Sequence, residues 1–484
     1  MRSEMSRNSQ GLSYLHAQNF GKIVAVIAVI VVASAGIGTF MILNKDKGDE
    51  VNITAALEVY GNANNDYKID ESDVTLIQKI IDKEDGYTLE KYPLADANYD
   101  SVVDAKDVEQ VKKIIAGGNG DGTQMSVWHI NHTTDTSINQ YVAETKWPVS
   151  KVIGNGAANA LIIYEMVGIR DNISGINYSS SSPPDSIVYS YYSKMKSLGT
   201  STMYLTEGLL TDCVKNNPGT TAVITADNKG YLDGSKGVSE KYIEETLGLD
   251  VIRIEHAAVD PEEYASAILM VGFLFNKNTQ AYEAAEWIQD VFDHIEEETS
   301  KASKKVRVAA TSYYNYLSAR NSDYADVTVA AGGEYTLWTA SKSSIYFKDS
   351  GSYTADPNIL KPEFQPDVII ALRTGAFLGK VSEGASWYGN ESKWNVNTMQ
   401  TQLKNFEVFD CYGSKNVYTV AGDIPIVARV LYSAAIMYPD LISMEYADQM
   451  HQEFVDKFLG SSYNVSEHRF VLSQSDVESM KVSA

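Results

Sequence analysis

The stretch Thr279–Ala302, TQAYEAAEWIQDVFDHIEEETSKA, decides the fold because it predicts one long helix in the middle of the chain. Apolar residues recur along it every three or four positions, which is the spacing of one face of an α-helix. The residues on this face are Ala281, Ala284, Ile288, Val291, Phe292 and Ile295. We therefore expect a helix with one side buried against the segments that precede and follow it.

On both sides of this helix, short apolar runs alternate with helical stretches, as in parallel sheets built from βα units. Before the helix, strand and helix alternate over Lys151–Ile153 and Ala157–Val167, Thr221–Thr225 and Ser239–Leu247, and Val251–Ile254 and Pro261–Leu274. After it, strands are predicted over Val306–Ala310, Val327–Ala330 and Pro366–Ala371, and helices over Ile424–Tyr438 and Glu445–Leu459. This order predicts two α/β lobes joined by the long helix, in a domain spanning residues 126–484.

Several short segments occur through residues 127–460 in an order typical of one protein family. Besides the long helix they are Trp147–Ile153, Gly168–Gly175, Lys196–Gly199, Ala330–Glu334, Lys361–Ile370, Asn416–Tyr418 and Ala434–Leu441. Together they resemble the substrate-binding proteins of ABC importers, specifically the group for iron–siderophore complexes, haem and cobalamin. The resemblance implies two Rossmann-like lobes that capture a metal chelate, haem or corrinoid and deliver it to an ABC permease.

In two-lobe α/β binding proteins the ligand lies between the lobes, outside the carboxyl ends of the strands. Tyrosine rings can stack on a flat ligand, and a guanidinium can hold carboxylate or catecholate oxygens through two hydrogen bonds. The competing interpretation is that the tyrosines belong to the scaffold and the arginine to a surface ion pair. The candidate ligand-binding residues at these positions are Asn155, Tyr313, Tyr314, Tyr316, Trp338 and Arg373.

The resemblance also implies that a surface glutamate on each lobe contacts the permease. Glu334 is the candidate on the second lobe, and Glu165 is the nearest acid to the matching place on the first. The sequence contains no GxSxG nucleophile motif, no phosphate-binding P-loop and no HExxH zinc motif. We interpret the chain as a binding protein, not an enzyme.

Two twelve-residue loops precede this domain, NANNDYKIDESD over Asn62–Asp73 and DANYDSVVDAKD over Asp96–Asp107. Both carry Asn or Asp at positions 1, 3, 5, 9 and 12, where a Ca²⁺ loop requires side-chain oxygens. Each leads into an apolar helical stretch, Val74–Ile81 and Val108–Ile115. With the backbone carbonyl of position 7, the predicted ligands are Asn62, Asn64, Asp66, Lys68, Asp70 and Asp73, and Asp96, Asn98, Asp100, Val102, Asp104 and Asp107.

The pair of loops resembles a type I dockerin, a small all-α module related to EF-hands that binds a cohesin partner. The resemblance covers residues 55–118 and rests on Asp at position 12 of both loops. Position 6, usually glycine, is Tyr67 in one loop and Ser101 in the other. Because Asn62 removes one negative charge, we expect the first of two Ca²⁺ sites to be weaker. The Gly-rich residues 119–125 then predict a flexible linker.

At the amino end, Ile23–Leu43 is an uncharged stretch long enough, at about 1.5 Å per residue, to cross a bilayer core of about 30 Å. Basic residues precede it, so residues 1–22 are predicted as a cytoplasmic stub, residues 23–43 as a single-pass membrane anchor, and the rest as extracellular. A signal peptide cleaved near Ala33-Ser34-Ala35 is the alternative.

The formal net charge of −23 argues against a nucleic-acid partner, because phosphates would be repelled. The combined prediction is a membrane-anchored extracellular protein that captures a small-molecule ligand. A cell-surface interaction protein is the alternative, in which the module recruits a cohesin-bearing partner and the α/β domain no longer serves transport.

Overall fold

The computed structural model describes residues 53–133, 140–156, 158–179, 183–228, 230–311, 316–318, 322–336, 352–354, 365–373, 377–380, 385–389, 391–407, 409–460 and 463–481. The predicted stub and membrane anchor lie outside these residues. Among the helices that are described, none is both long enough and apolar enough to cross a membrane. Val51–Ala484 form one compact unit, which contains both residues 55–118, predicted from the sequence to be a dockerin-like module and called that below, and the two-lobed domain.

The dockerin-like module contains two helices, α1 (Glu71–Ile81) and α2 (Ala105–Ile115), one after each predicted loop. Both begin three residues earlier than their apolar patterns predicted. Asp70 and Asp104, at position 9 of the loops, cap the helices, and Asp73 and Asp107 complete the capping boxes. A small core of its own holds the module together, made by Ala63, Ile77, Ala95, Ala97 and Val111.

A hairpin of β1 (Met125–His132) and β2 (Gln140–Trp147) follows the module and lies against the first lobe. Residues 119–124 are exposed, and Met125, the first residue of β1, is buried. These residues do not keep the module apart from the large domain. Tyr60 N donates to Trp128 O at 2.9 Å and Ile130 N donates to Glu58 O at 3.0 Å, so the module is hydrogen-bonded to the hairpin.

The first lobe contains a parallel four-stranded sheet in the order β4-β3-β7-β8. Its strands are apolar and almost continuously buried, as expected for a sheet covered on both faces. A two-stranded ribbon of β5 and β6 lies beside it. The elements are β3 (Lys151–Asn155), α3 (Ala158–Val167), β4 (Ile173–Asn177), β5 (Gly199–Ser201), β6 (Tyr204–Leu205), α4 (Glu207–Asn216), β7 (Thr220–Ala226), α5 (Glu240–Leu247), β8 (Asp250–Ile254) and α6 (Pro261–Leu274).

The long helix is α7 (Asn278–Ser300), and the six residues predicted to form its apolar face are buried. The second lobe has a five-stranded sheet in the order β11-β9-β13-β14-β15, parallel except for β15. Its elements are β9 (Arg307–Thr311), β10 (Tyr316–Ser318), α8 (Asp323–Ala330), β11 (Glu334–Tyr335), β12 (Ser352–Thr354), β13 (Val368–Arg373), α9 (Val396–Leu403), α10 (Asp410–Gly413), β14 (Val417–Ala421), α11 (Ile426–Met437), α12 (Met444–Phe454), β15 (Val471–Ser473) and α13 (Gln474–Ser479).

The predicted arrangement of two α/β lobes around a long helix is confirmed, with two local corrections. The strand predicted over Val327–Ala330 is wrong, because these residues belong to α8. Ser322 caps that helix by accepting a hydrogen bond from Ala325 N, and Asp323 and Asp326 favour its first turn. The helix predicted over Glu445–Leu459 is α12 followed by one π-helical turn at Val455–Leu459.

Candidate ligand cleft and calcium loops

Polar side chains at the carboxyl ends of three first-lobe strands form a buried ladder. Asn155 Oδ1 accepts a hydrogen bond from Asn177 Nδ2 at 2.8 Å, and Asn155 Nδ2 donates to Thr225 Oγ1 at 3.1 Å. Asn155 is only 1% exposed. Its amide joins the ends of β3, β4 and β7, and the ligand contact that the sequence predicted for this residue stays a prediction.

Carboxylates from both lobes lie close together beyond the strand ends. Asp227 directly follows β7, Glu255 directly follows β8, and Asp323 is the first residue of α8 in the other lobe. Burial raises the pKa of Glu255, and it is raised further by hydrogen bonding to Asp227 and by the charges of Asp227 and Asp323. The pKa of Glu255 reaches about 8, so Glu255 holds its proton near pH 7, and the charges of Asp227 and Asp323 give this site between the lobes its negative character.

The imidazole of His256 borders this acidic site. His256 is 4% exposed, and its Nδ1 makes no hydrogen bond to the described residues. Burial lowers the pKa of His256, although the charges of Asp227 and Asp323 oppose the shift. The ring is therefore neutral near pH 7, and Tyr231 packs against it edge-on at a centroid distance of 6.5 Å. Carboxylates and a neutral imidazole are groups that attract metal-containing or cationic ligands.

Hydrogen bonds between described residues connect the lobes directly. Arg429, near the start of α11, is 5% exposed and donates from Nη2 to Asn159 Oδ1 of α3 at 3.1 Å. Ser386 Oγ of the second lobe donates to Asp185 Oδ2 of the first. Burial lowers the pKa of Arg429, but a guanidinium remains charged at physiological pH. The lobe junction thus contains a buried positive charge as well as the acidic site.

The remaining predicted ligand contacts lie in the second lobe. Arg373 ends β13 and is 3% exposed, and its carbonyl accepts hydrogen bonds from Trp387 Nε1 at 3.1 Å and from Gly422 N. This is the strand-end position that the sequence predicted, and its contact with ligand stays a prediction. The backbone of Tyr316 pairs with Thr354, but its side chain lies outside the described residues. Tyr313, Tyr314 and Trp338 also lie outside them.

Sequence reasoning missed the acidic site itself. Asp227 and Glu255 each directly follow a strand that the sequence had placed correctly, so the strand-end rule would have found both. Asp323 could not be found in this way, because its helix was mistaken for a strand. Its proximity to Glu255 also depends on how the lobes meet, which no local pattern encodes.

The two glutamates proposed to contact a permease differ in their surroundings. The carboxylate of Glu165 is buried and accepts hydrogen bonds from Arg170 Nε at 2.9 Å and from Arg170 Nη2. Glu334 is exposed at the edge of the second sheet. Glu334 is thus accessible to a partner protein, whereas Glu165 is already paired within its own lobe.

A separate cavity of about 490 Å³ opens on the first lobe, away from the strand ends that carry the acidic site. It lies between the hairpin strand β2, helix α5 and the start of β8. The residues lining it include Tyr141, Glu144, Glu240, Glu244 and Asp250. Since it is open and does not lie between the lobes, we do not assign the ligand to it.

The two predicted calcium loops have matching hydrogen-bond networks. Position 12 accepts from the backbone of position 3 at 3.1 Å in both, from Asn64 N to Asp73 and from Asn98 N to Asp107. Burial raises the pKa of Asp73 to about 6, and the charges of Asp66 and Asp70 add to the shift. The pKa of Asp107 is raised likewise, by burial and by Asp96 and Asp100. Repelling carboxylates thus converge in each loop.

The loops differ at position 1. Asp96 accepts hydrogen bonds from Asp100 N at 3.1 Å and Ser101 N at 2.8 Å. Asn62 instead donates from Nδ2 to Leu57 O and Asp66 O, both at 2.7 Å, and its buried Oδ1 has no hydrogen-bond partner. A buried oxygen without a hydrogen-bond partner at this position is suited to bind a cation.

Across the described residues, no group of three or more His, Cys, Asp or Glu side chains is placed to hold a metal ion.

Comparison with solved structures supports the fold of the large domain. The TroA-like periplasmic binding protein FepB from Veillonella parvula has a TM-score of 0.51 at 18% identity, covering 69% of this chain and 97% of its own. The large domain has this fold. The molybdate-bound MolA of Haemophilus influenzae gives a TM-score of 0.48 at 12% identity, covering 67% of this chain and 96% of its own.

A solute-binding protein of an ABC transporter from Sulfurospirillum deleyianum gives a TM-score of 0.47 at 14% identity, covering 72% of this chain and 98% of its own. No protein-family model matches the chain. No curated protein matches it either.

Proposed function

We propose that the chain is a membrane-anchored extracellular substrate-binding protein that captures a metal chelate, haem or corrinoid between its lobes for an ABC permease. The proposed role contains no enzymatic step. It is supported by the two-lobed fold and by the sequence resemblance to the iron–siderophore, haem and cobalamin group. The observation that carries it is the acidic site, which both lobes contribute to.

The charge of this site narrows the ligand class. The charges of Asp227 of the first lobe and Asp323 of the second oppose ionisation of Glu255, whose pKa is raised to about 8, and a ligand with positive charge between the three groups would favour its ionised form. Such a ligand favours the closed arrangement because it gains contacts with both lobes at once. A cationic or neutral chelate or corrinoid therefore fits this cleft better than an anionic complex.

We also propose that the two module loops hold Ca²⁺. Calcium would supply the positive charge that balances the converging carboxylates of each loop. Asn62, Asn64, Asp66, Asp70 and Asp73 would hold it in the first loop through side-chain oxygens, with the carbonyl of Lys68. In the second loop the corresponding ligands are Asp96, Asn98, Asp100, Asp104 and Asp107, with the carbonyl of Val102.

The test begins with native mass spectrometry of the purified chain, to look for a co-purified ligand. Binding is then measured by quenching of tryptophan fluorescence with aquacobinamide, dicyanocobinamide and haemin as probes. The two cobinamides share one corrin ring, but the cyanide ligands make the second less positive. We expect aquacobinamide to bind more tightly than dicyanocobinamide.

Glu255→Gln and Asp323→Asn are expected to weaken aquacobinamide binding by roughly tenfold to a hundredfold, the cost of losing a charged hydrogen-bond partner. Glu245→Gln is the matched control, because Glu245 is an exposed acid on the same lobe, paired at 3.8 Å with Lys241. Equal affinities for all three variants would refute the cleft assignment. Failure of every probe, with no co-purified ligand, would refute the proposed ligand class.

A further inference from the structure

Residues of the first predicted calcium loop also hold Leu57–Tyr60, the connecting segment, which precedes the loop and is hydrogen-bonded to the hairpin of the large domain. Leu57 N donates to Asp66 O at 2.9 Å, and Asn62 Nδ2 donates to Leu57 O at 2.7 Å. Asn62 and Asp66 are positions 1 and 5 of that loop. The loop and the connecting segment Leu57–Tyr60 are therefore fixed by the same two residues.

The connecting segment continues into the first lobe through the hairpin. Val59 forms a β-bridge with His129 of β1. Two residues further along β1, the Asn131 side chain donates from Nδ2 to Val251 O at 2.9 Å and accepts from Arg253 N at 2.9 Å. Since Val251 and Arg253 belong to β8, hydrogen bonds run from the calcium loop to the strand that ends next to Glu255.

The first loop also touches the long helix between the lobes. Tyr67, at position 6, packs edge-on against Tyr282 of α7 with ring centroids 5.3 Å apart. Thr54 N donates to Gln289 Oε1 at 3.0 Å, about two helical turns further along the same face of α7. The position where calcium loops usually carry glycine is thus occupied here by a side chain that contacts the interlobe helix.

We propose that the partner of the calcium module is the large domain of the same chain, and that Ca²⁺ in the first loop strengthens this docking. The inference rests on the calcium part of the proposed function. Calcium would fix Asn62 and Asp66 through their side-chain oxygens, and these residues position Leu57 and Tyr67 against the domain. By thermodynamic reciprocity, docking strengthens calcium binding by the same factor.

The test measures Ca²⁺ affinity of the full chain by calorimetry. An Asp107→Asn background weakens the second loop, so that the first is observed alone. Tyr282→Ala is expected to reduce first-loop affinity roughly threefold to tenfold, the range of a lost aromatic pair. Tyr282→Phe keeps the ring contact and is expected to restore wild-type affinity. In an Asp73→Asn background, which reports the second loop, Tyr282→Ala is expected to have no effect.

Tyr446→Ala is the matched control, because Tyr446 packs on His294 of the same helix at a centroid distance of 4.9 Å without touching the module. A double-mutant cycle guards against general unfolding: Tyr282→Ala is expected to add nothing once Tyr67→Ala is present. Equal affinities for Tyr282→Ala and Tyr446→Ala would overturn the coupling. Absence of any calcium heat in the unmutated chain would instead refute the proposed calcium sites themselves.

Discussion

Replacing Asn131 tests how strongly its side chain fastens the hairpin to the first lobe, beside the Lys146 N–H that donates to Asp250 Oδ2 at 2.9 Å. Asn131 is fully buried and bridges two residues of the edge strand β8, as donor to Val251 O and acceptor from Arg253 N. Asn131→Ala leaves both backbone groups buried without a partner. At about 1–3 kcal/mol for each unpaired group, we expect a loss of about 2–6 kcal/mol in unfolding free energy.

The assay combines urea unfolding with hydrogen–deuterium exchange of β8. The variant is expected to unfold at lower urea, and the Arg253 amide is expected to exchange faster because its acceptor is gone. Asn172→Ala is the control, since Asn172 makes a solvent-exposed hydrogen bond to Ser150 O at 2.7 Å. We expect that control to lose less than about 1 kcal/mol. An Asn131→Ala loss no larger than the control, with unchanged exchange, would refute the fastening role.

Three further outcomes follow from individual residues. The raised pKa of Glu255 means that the folded state keeps this proton to higher pH than the unfolded chain does, so stability falls as pH rises above the ordinary glutamate range. Glu255→Gln is expected to make the melting temperature less dependent on pH in that range. Hydrogen bonding to Glu58 raises the pKa of His132. This contact stabilises the folded state below about pH 6.5, and the stabilisation is lost as pH rises through the raised pKa. His132→Gln is expected to remove this slope. Gly422→Ala would place Cβ 2.7 Å from the Arg373 carbonyl carbon, and the overpacking is expected to cost roughly 1–3 kcal/mol in thermal unfolding.

The sequence predicted those parts of the fold that depend on local patterns. The periodicity of α7 and the buried runs of β3, β7, β8, β9 and β13 each identify an element without reference to its neighbours. Val327–Ala330 was wrongly predicted as a strand because four residues are too few to distinguish a helical repeat from the alternation of a strand. The capping of α8 by Ser322 outweighed the strand preference of the β-branched side chains.

The sites were harder to predict, because they depend on contacts between distant segments. Asn155 was correctly placed at a strand end, but its amide is used by Asn177 and Thr225, which lie 22 and 70 residues away in sequence. The module was predicted to be separated from the large domain by a flexible linker. Its contacts with the hairpin and α7 involve side chains that no local pattern relates. Whether a cohesin-bearing partner also binds the module stays a prediction.

The two predicted calcium loops differ at position 6 in what the residue there contacts. Ser101 adopts the left-handed φ of +70° that glycine usually supplies, and Asp96 accepts its N–H at 2.8 Å, so the second loop builds its turn from its own residues. Tyr67 in the first loop contacts α7 instead. With Asn62 in place of Asp, that loop has less charge to attract calcium and more contact with the large domain. A modest coupling changes the occupancy of a site most when the Ca²⁺ concentration lies near its dissociation constant, and the first loop is the site predicted to be weaker and so more readily emptied. The first loop is therefore where docking of the large domain would most effectively control calcium binding.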